Sequence, residues 1–333
     1  MRIAIFDTKA GEKKYFSKAL IGQQLEFSAD SLDEKTASLA KNAQAVMVFI
    51  ASSLKADVLK KMPKLKLVIT RSTGFDHIDL KYCQKNNITV CNVPSYGENT
   101  VAEHAFALIL SLSRNIHQSY LRTMREDYRI EGLKGFDLHG KTIGVVGAGK
   151  IGLHLIKMAR GFDMNVLAYD VNQDQFLADV LGFKYASLEK LLAESDIISL
   201  HVPDNKFTHH LINRKNIGLI KKGALLINTA RGGVVETEAL LMALDKKILA
   251  GAGLDVVEGE NLIMEEKQIA YDKETADEML SLVKNHILLS KENVIFTPHI
   301  AFYSQEAIER IMEVSAENVL AFVSGQPKNI VKA

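Results

Sequence analysis

The chain of 333 residues is poor in proline and cysteine, contains no tryptophan and carries almost no net charge. Its 5 prolines exclude collagen-like and proline-rich disordered classes, and its 2 cysteines exclude a disulfide scaffold. With 41 Lys and Arg against 40 Asp and Glu, there is no electrostatic case for nucleic acid or an anionic membrane. No apolar run approaches the ~20 residues of a membrane span, and the first residues lack the apolar core of a secretory signal. We therefore expect a cytoplasmic protein with reduced thiols.

Short apolar runs alternate with amphipathic segments of helix length along the chain. A first series covers residues 2–6, 45–50, 65–70 and 88–93, and a second covers 142–147, 165–170, 196–202, 224–229, 250–256 and 293–297. Because most runs are apolar at consecutive positions, they indicate parallel strands covered by helices on both faces. The predicted fold class is α/β, with two doubly wound parallel-sheet domains.

The boundary between the two series lies near Pro94, which ends a strand, and Asn99 and Thr100, which begin a helix. A last helix, about 304–324, follows the final strand, and we expect it to return to the first domain. The sequence thus predicts a discontinuous substrate domain of residues 1–98 and 299–333, and a dinucleotide-binding domain of residues 99–298.

Residues 147–152 read GAGKIG and lie between a predicted strand and a predicted helix. Gly147 permits a tight turn, Gly149 lets the backbone approach a pyrophosphate, and Gly152 lets the helix pack closely on the strand. The start of the helix offers unpaired N–H groups to the phosphates. Asp170 ends the next strand, where a carboxylate accepts hydrogen bonds from ribose hydroxyls and repels a 2′-phosphate. The unit predicts a dinucleotide site that favours NAD over NADP, with a purely structural turn as the alternative.

Polar side chains follow three predicted strands of the second series, at the edge where open α/β sheets bind ligands. Arg231 follows one strand, and a guanidinium there suits a carboxylate, which it holds with two parallel bonds. Asp255 and Glu260 follow the next strand, and His299 follows the last. A carboxylate beside a histidine fixes its tautomer and stabilises its charged form. Glu260 is predicted for this position and Glu258 is its nearest competitor, although each of these residues alone also reads as an ordinary exposed side chain.

Candidate ligand-binding groups also occur in the first series. Thr73 and Gly74 can present backbone N–H groups to an anion, and Tyr96 can place its hydroxyl near the domain boundary. Both segments also read as plain turns. No metal site is predicted, because His209 and His210 lack a third ligand at a metal-binding spacing.

Six segments in chain order carry a family resemblance. They read TRSTGFDHIDL, NVPSYGENTVAEHAFALIL, GKTIGVVGAGKIG, NTARGG, GLDVVEGE and TPHIAFYSQEA. On these segments the chain resembles the D-isomer-specific 2-hydroxyacid dehydrogenases over nearly its whole length. Within that family it is most similar to the fermentative D-lactate dehydrogenases, on the long stretch after GLDVVEGE and on the HIAFY sequence at 299–303.

The resemblance implies a Rossmann NAD-binding domain, a flavodoxin-like catalytic domain and a homodimer or higher homo-oligomer. It implies reduction of pyruvate to D-lactate with NADH, in which Arg231 holds the substrate carboxylate, His299 donates the proton and Glu260 pairs with His299. Tyr96 and Phe302 would border this small 2-oxo acid. The residues implied to contact NAD, besides the three glycines, are Lys150, Ile151, Asp170, Val202, Pro203, Thr208, Thr229, Ala230, Arg231 and Asp255.

Two alternatives stay open. One is another 2-oxo acid reductase of the family, acting on glyoxylate, hydroxypyruvate or a bulky 2-oxo acid. The other is a non-enzymatic NAD-sensing protein similar to the corepressors of this fold, against which the short ends of the chain argue. The acidic stretch at 258–279 is interpreted as a solvated surface, with a mobile loop near the cleft as the alternative.

Overall fold

A computed structural model describes residues 1–260 and 276–332 of the chain, so most of the acidic stretch at 258–279 lies outside the described residues. The chain divides into two compact units, Met1–Gly97 with Tyr303–Ala333, and Glu98–Phe302. The sequence-based boundaries lie after residues 98 and 298. Because the second boundary lies after Phe302 in the structure, His299 belongs to the second unit.

The first unit contains a five-stranded sheet whose strands all pair in parallel. The strands are β1 (Arg2–Ile5), β2 (Gln24–Phe27), β3 (Ala45–Val48), β4 (Leu67–Thr70) and β5 (Thr89–Cys91), in the order β2-β1-β3-β4-β5. This is the flavodoxin-type order of a doubly wound sheet. The helices between them are α1 (Ala10–Ala19), a 3₁₀ turn (Ala37–Ala40), α2 (Ala56–Leu59) and α3 (Leu80–Lys85).

The C-terminal helix completes the first unit. It spans Gln305–Val323 and is named α11 below. Its residues Ala316 and Val319 are buried in the same apolar cluster as Phe16 of α1. Beyond the helix, Ile330 forms an antiparallel bridge with Cys91 of β5. Residues far apart in sequence therefore share one core.

The second unit contains a seven-stranded parallel sheet. Its strands are β6 (Thr142–Val146), β7 (Asn165–Tyr169), β8 (Lys184–Tyr185), β9 (Ile197–Leu200), β10 (Ala224–Asn228), β11 (Leu249–Leu254) and β12 (Val294–Phe296). The order β12-β11-β10-β9-β6-β7-β8 is the Rossmann order extended by one strand, and it reverses direction between β6 and β9, where such sheets bind ligands. The predicted fold class, with two doubly wound parallel sheets, is confirmed.

Helices cover this second sheet. They are α4 (Glu98–Ser113), α5 (Ile116–Thr123), α6 (Lys150–Gly161), α7 (Gln175–Leu181), α8 (Leu188–Glu194), α9 (Thr237–Asp245) and α10 (Ala276–Leu289), with 3₁₀ turns at Ile217–Leu219 and Gly232–Val234. Helix α4 begins one residue before the predicted start at Asn99. Among the described residues, no helix combines the length and the apolar character needed to cross a membrane.

Two strands, β2 and β8, are absent from the sequence-based prediction. Both lie at the edge of their sheets. Strand β2 has no fully buried residue, and β8 is only 2 residues long. Both strands are partly solvated, so they lack the consecutive buried apolar residues by which the other strands were identified.

Candidate active site

The glycine-rich turn joins β6 to α6 at the point where the order of the second sheet reverses. Gly147 has φ +98°, and a Cβ there would lie 2.6 Å from the carbonyl oxygen of His201. A Cβ at Gly152 would lie 2.0 Å from the carbonyl oxygen of Gly147, so helix and turn pack backbone against backbone. Gly149 caps α6 without a side-chain hydrogen bond, and a Cβ there would meet no atom within 4 Å. The first turn of α6 is therefore open for a ligand to approach its backbone N–H groups.

Asp170 follows β7 beside this turn. Its Oδ2 accepts a hydrogen bond from Ala148 N at 2.8 Å, and its Oδ1 accepts one from Asn172 N at 2.8 Å. Each carboxylate oxygen keeps a second lone pair for a ligand hydroxyl. The neighbouring Lys150 pairs through Nζ with Glu98 Oε1 at 3.4 Å, and Ile151 packs on the core of the unit.

The segment after β9 carries three more predicted NAD contacts. Val202 packs against the apolar core. Thr208 closes the loop, because its hydroxyl donates to the Pro203 carbonyl and accepts from Asn205 N at 2.9 Å. His201, at the start of the segment, lies 2.8 Å through Nε2 from Ser199 Oγ, and burial lowers its pKa to about 4. This histidine is therefore neutral at physiological pH.

Arg231 stands at the start of a tight turn after β10. Asn228 organises this turn: its Oδ1 accepts from Ala230 N at 3.0 Å and its Nδ2 donates to Arg231 O at 2.9 Å. Arg231 Nη1 donates to Ala230 O at 2.7 Å. A Cβ at Gly232 would lie 2.1 Å from Val257 O, so the Arg231 turn packs directly on the backbone that follows β11.

A turn directly after β12 carries His299. The carboxylate of Asp255, which is fully buried, accepts from Ile300 N at 2.9 Å, from Ala301 N at 2.8 Å and from Thr297 Oγ1 at 2.5 Å. His299 N donates to Asp255 O at 2.9 Å. His299 has φ +53°, a left-handed conformation that costs a non-glycine residue roughly 1–2 kcal/mol. The bonds to Asp255 hold that conformation and explain why the turn belongs to the second unit.

Asp255 is thus a structural anchor of the His299 turn in the described structure. His104 of α4 extends the network, with Nε2 at 3.0 Å from Thr297 Oγ1 and 3.6 Å from Asp255 Oδ1. The sequence also predicts an NAD contact for Asp255, and that role stays a prediction.

A hydrogen bond joins the side chains of Glu260 and His299. The distance between Glu260 Oε1 and His299 Nδ1 is 2.7 Å, and the side chains are 19% and 18% exposed. The structure thus brings Glu260 rather than Glu258 to the histidine. Because Nδ1 is bonded to the carboxylate, Nε2 is the ring nitrogen left for a ligand. Phe302, three residues beyond His299, is the last residue of the second unit.

Glu258 has a different partner, His210, which no sequence pattern indicates. Its Oε1 lies 2.5 Å from His210 Nε2, and its Oε2 accepts from Thr237 N at 2.8 Å and from Thr237 Oγ1 at 2.7 Å. Burial opposes its charge, but the hydrogen bonds from His210 and Thr237 outweigh burial and lower the pKa of Glu258. No local motif joins residues that lie 48 positions apart.

The same cluster bears on the prediction of no metal. His209, His210 and Glu258 each offer one ligand atom, and these atoms lie within 4.8 Å of one another. The fold therefore supplies the third group that the spacing lacked. Both carboxylate oxygens are already hydrogen-bonded, so we assign no metal, and its absence stays a prediction.

The predicted anion-binding residues of the first unit lie after β4 and β5. Thr73 Oγ1 donates to Val93 O at 2.8 Å, and Gly74 lies in the same turn. The carbonyl of Tyr96 accepts from Arg310 Nε of α11 at 2.6 Å. These bonds fix the backbone of both segments within the first unit.

Known proteins resemble this chain over its whole length. The family model described as the NAD-binding domain of D-isomer specific 2-hydroxyacid dehydrogenases matches residues 106–301. A 2-hydroxyacid dehydrogenase homolog of Haemophilus influenzae is 36% identical over 99% of both chains, and the D-lactate dehydrogenase of Escherichia coli is 34% identical over 98% of both. The crystal structure of D-lactate dehydrogenase from Aquifex aeolicus, complexed with NAD and lactic acid, is 39% identical over 99% of both chains, with a TM-score of 0.91.

The residues of the second unit fit NAD. The open first turn of α6 suits the pyrophosphate, and the Asp170 carboxylate suits the ribose hydroxyls. Thr229, the residue directly after β10, buries Oγ1 without a hydrogen-bond partner among the described residues, which is expected of a group that a ligand completes. Fold, glycine turn and whole-length similarity agree: the chain belongs to the D-isomer-specific 2-hydroxyacid dehydrogenases and is an NAD-dependent oxidoreductase that acts on CH–OH groups.

Proposed function

We propose that this chain is a D-lactate dehydrogenase that reduces pyruvate to D-lactate with NADH. The observation that carries the proposal is the His299–Glu260 pair, at 2.7 Å, in the same unit as the Arg231 turn. The relative from Aquifex aeolicus, whose structure is complexed with NAD and lactic acid, supports lactate as the product.

Each residue of the group has a distinct role in the proposed reaction. Arg231 holds the substrate carboxylate with two parallel hydrogen bonds and so fixes the orientation of the neighbouring carbonyl. His299, charged before the reaction, donates the proton on Nε2 to the carbonyl oxygen, and the oxygen becomes the hydroxyl of lactate. Glu260 stabilises the charged imidazole and holds its ring in place through Nδ1. NADH, when bound, supplies the hydride that reaches the carbonyl carbon.

The proposal also assigns the remaining ligand contacts. NAD is held through Gly147, Gly149, Gly152 and Asp170, together with the segments after β9 and β10. For the substrate, the proposed contacts are the backbone N–H groups of Thr73 and Gly74, which suit a carboxylate oxygen, and the rings of Tyr96 and Phe302.

A panel of 2-oxo acids tests the substrate. With NADH in excess, we expect the highest kcat/KM for pyruvate among pyruvate, glyoxylate, hydroxypyruvate, phenylpyruvate and 2-oxoisocaproate, and D-lactate as the product on chiral chromatography. A higher kcat/KM for another acid of the panel would assign that acid instead. Tight NADH binding without turnover of any panel member would favour an NAD sensor.

We also propose a cytoplasmic homodimer. Helix α5 has no buried residue, and its surface exposes Ile116, Tyr120 and Leu121 at 53–62%. A second copy of the chain would cover this apolar face.

Cys83 and Cys91 are unpaired and buried, and burial raises the pKa of each thiol to about 11, as suits a reducing compartment. Light scattering and cell fractionation test the two proposals; a monomer at micromolar concentration contradicts the first, and a membrane or periplasmic fraction contradicts the second.

A further inference from the structure

We propose that Glu258 is a positioning residue for the His299–Glu260 pair, and that it acts through its bonds to His210 and Thr237. This inference rests on the roles proposed above for His299 and Glu260. Glu258 itself does not contact His299. It lies two residues before Glu260, whose carboxylate does.

The side chain of Glu258 joins two other segments of the second unit. Its Oε2 accepts both the backbone N–H and the hydroxyl of Thr237, the first residue of α9, at 2.8 and 2.7 Å. Its Oε1 meets His210 Nε2 at 2.5 Å. Because both carboxylate oxygens of Glu258 are hydrogen-bonded, to partners on two different segments, this side chain has little freedom to move.

The partners of Glu258 are themselves fixed. His210 N donates to Gly233 O at 2.7 Å, which ties the histidine to the turn that begins at Arg231. Asn213 Nδ2 donates to His210 O at 2.7 Å. The backbone of His210 is therefore tied to the turn that also carries the proposed carboxylate-binding arginine.

The backbone of Glu258 is held as firmly as its side chain. Its carbonyl accepts from Nδ2 of Asn285, a fully buried residue of α10, at 2.7 Å. Two residues on, Glu260 N donates to Val257 O at 3.2 Å, so this tight turn transmits the position of Glu258 to Glu260.

The consequence is geometric. Glu260 reaches His299 at 2.7 Å only while the turn at residues 257–260 keeps its position. The bonds of Glu258 to Thr237 of α9 and to His210 hold that turn in position. A misplacement of about 1 Å far from the reacting atoms can cost about 100-fold in rate. Loss of the Glu258 side chain should therefore lower kcat, because the charged imidazole loses its aligned carboxylate.

Glu258→Ala and His210→Asn are the main variants, and Glu258→Gln is the conservative one. We expect the first two to lower kcat for pyruvate by about 10- to 100-fold, with the Kd for NADH unchanged within about twofold. Glu258→Gln keeps an acceptor for Thr237 and offers an N–H to His210, so it should restore kcat to within about fivefold of the parent. Glu194→Ala, which removes an exposed carboxylate of α8, is the matched control and should leave kcat unchanged.

A double-mutant cycle separates positioning from a general structural role. In a Glu260→Gln background the aligned carboxylate is already lost, so adding Glu258→Ala should lower kcat by less than about threefold further. The full 10- to 100-fold loss in that background, or an unchanged kcat in Glu258→Ala itself, would overturn the proposal. If Glu258→Ala does not fold, the same cycle with His210→Asn decides the question.

The cycle also distinguishes this inference from the proposed function. If Glu260→Gln alone leaves kcat unchanged, the role of the His299–Glu260 pair is wrong. If Glu260→Gln lowers kcat but the Glu258 effect is additive to it, only the positioning role is wrong.

Discussion

Acidification should destabilise this protein through one partly buried histidine, His201. Burial lowers the pKa of His201 from 6.5 to about 4, and its Nδ1 is buried without a hydrogen-bond partner among the described residues. The folded chain therefore holds the ring neutral where the unfolded chain protonates it. The stability that this group contributes is present above pH 6.5 and is lost as the pH falls toward 4.

The size of the loss follows from the two pKa values. At pH 5 the unfolded chain is almost fully protonated at His201 and the folded chain is not. Linkage then gives a loss of about 2 kcal/mol in the free energy of unfolding, relative to pH 7.5. His201→Gln cannot titrate, so the variant should lose about 2 kcal/mol less than the parent over this range, whatever its stability at neutral pH.

Urea unfolding at the two pH values measures the difference directly. His139→Gln is the control, because it removes a histidine whose side chain is 80% exposed. Equal losses in the parent and in His201→Gln would refute the reasoning, since the His201 ring would then not be the group that takes up the proton.

Three further predictions concern ligand binding. Arg231→Lys should raise the KM for pyruvate by about 10- to 100-fold, because a point charge replaces a fork of two bonds; steady-state kinetics checks this, and an unchanged KM contradicts it. Asp170→Asn should lower the preference for NADH over NADPH by about tenfold or more, because it removes the charge that repels a 2′-phosphate; an unchanged ratio of Kd values from fluorescence titration argues against that role. Gly152→Ala should abolish NADH binding or folding, since its Cβ would lie 2.0 Å from a carbonyl oxygen. Gly149→Ala should fold with an unchanged Tm, because a Cβ there would meet no atom within 4 Å. Equal thermal stability of the two variants would show that the close backbone approach at Gly152 is absent.

The sequence alone predicts the two parallel sheets and the sheet edge on which the candidate site residues lie. The inner parallel strands are buried on both faces and show as consecutive apolar residues, whereas the edge strands β2 and β8 give no such signal. Arg231, Glu260 and His299 each follow a strand of one parallel sheet, so their common edge follows from the topology.

Other features depend on contacts between distant residues. The pairing of His210 with Glu258 joins positions 48 residues apart, and neither lies in a motif that points to the other. The boundary near His299 depends on the bonds between Asp255 and the His299 turn, which the sequence does not reveal. Local patterns indicate which residues are reactive, but the fold decides which of two nearby carboxylates meets the histidine.

The central claim is that His299, paired with Glu260, donates the proton to the substrate carbonyl. Stopped-flow reduction of pyruvate by NADH bound to His299→Gln tests it most directly, with NADH affinity measured on the same sample. We predict a rate lower by about 10²- to 10⁴-fold with the Kd for NADH unchanged within about twofold. An undiminished rate in that variant would contradict the claim.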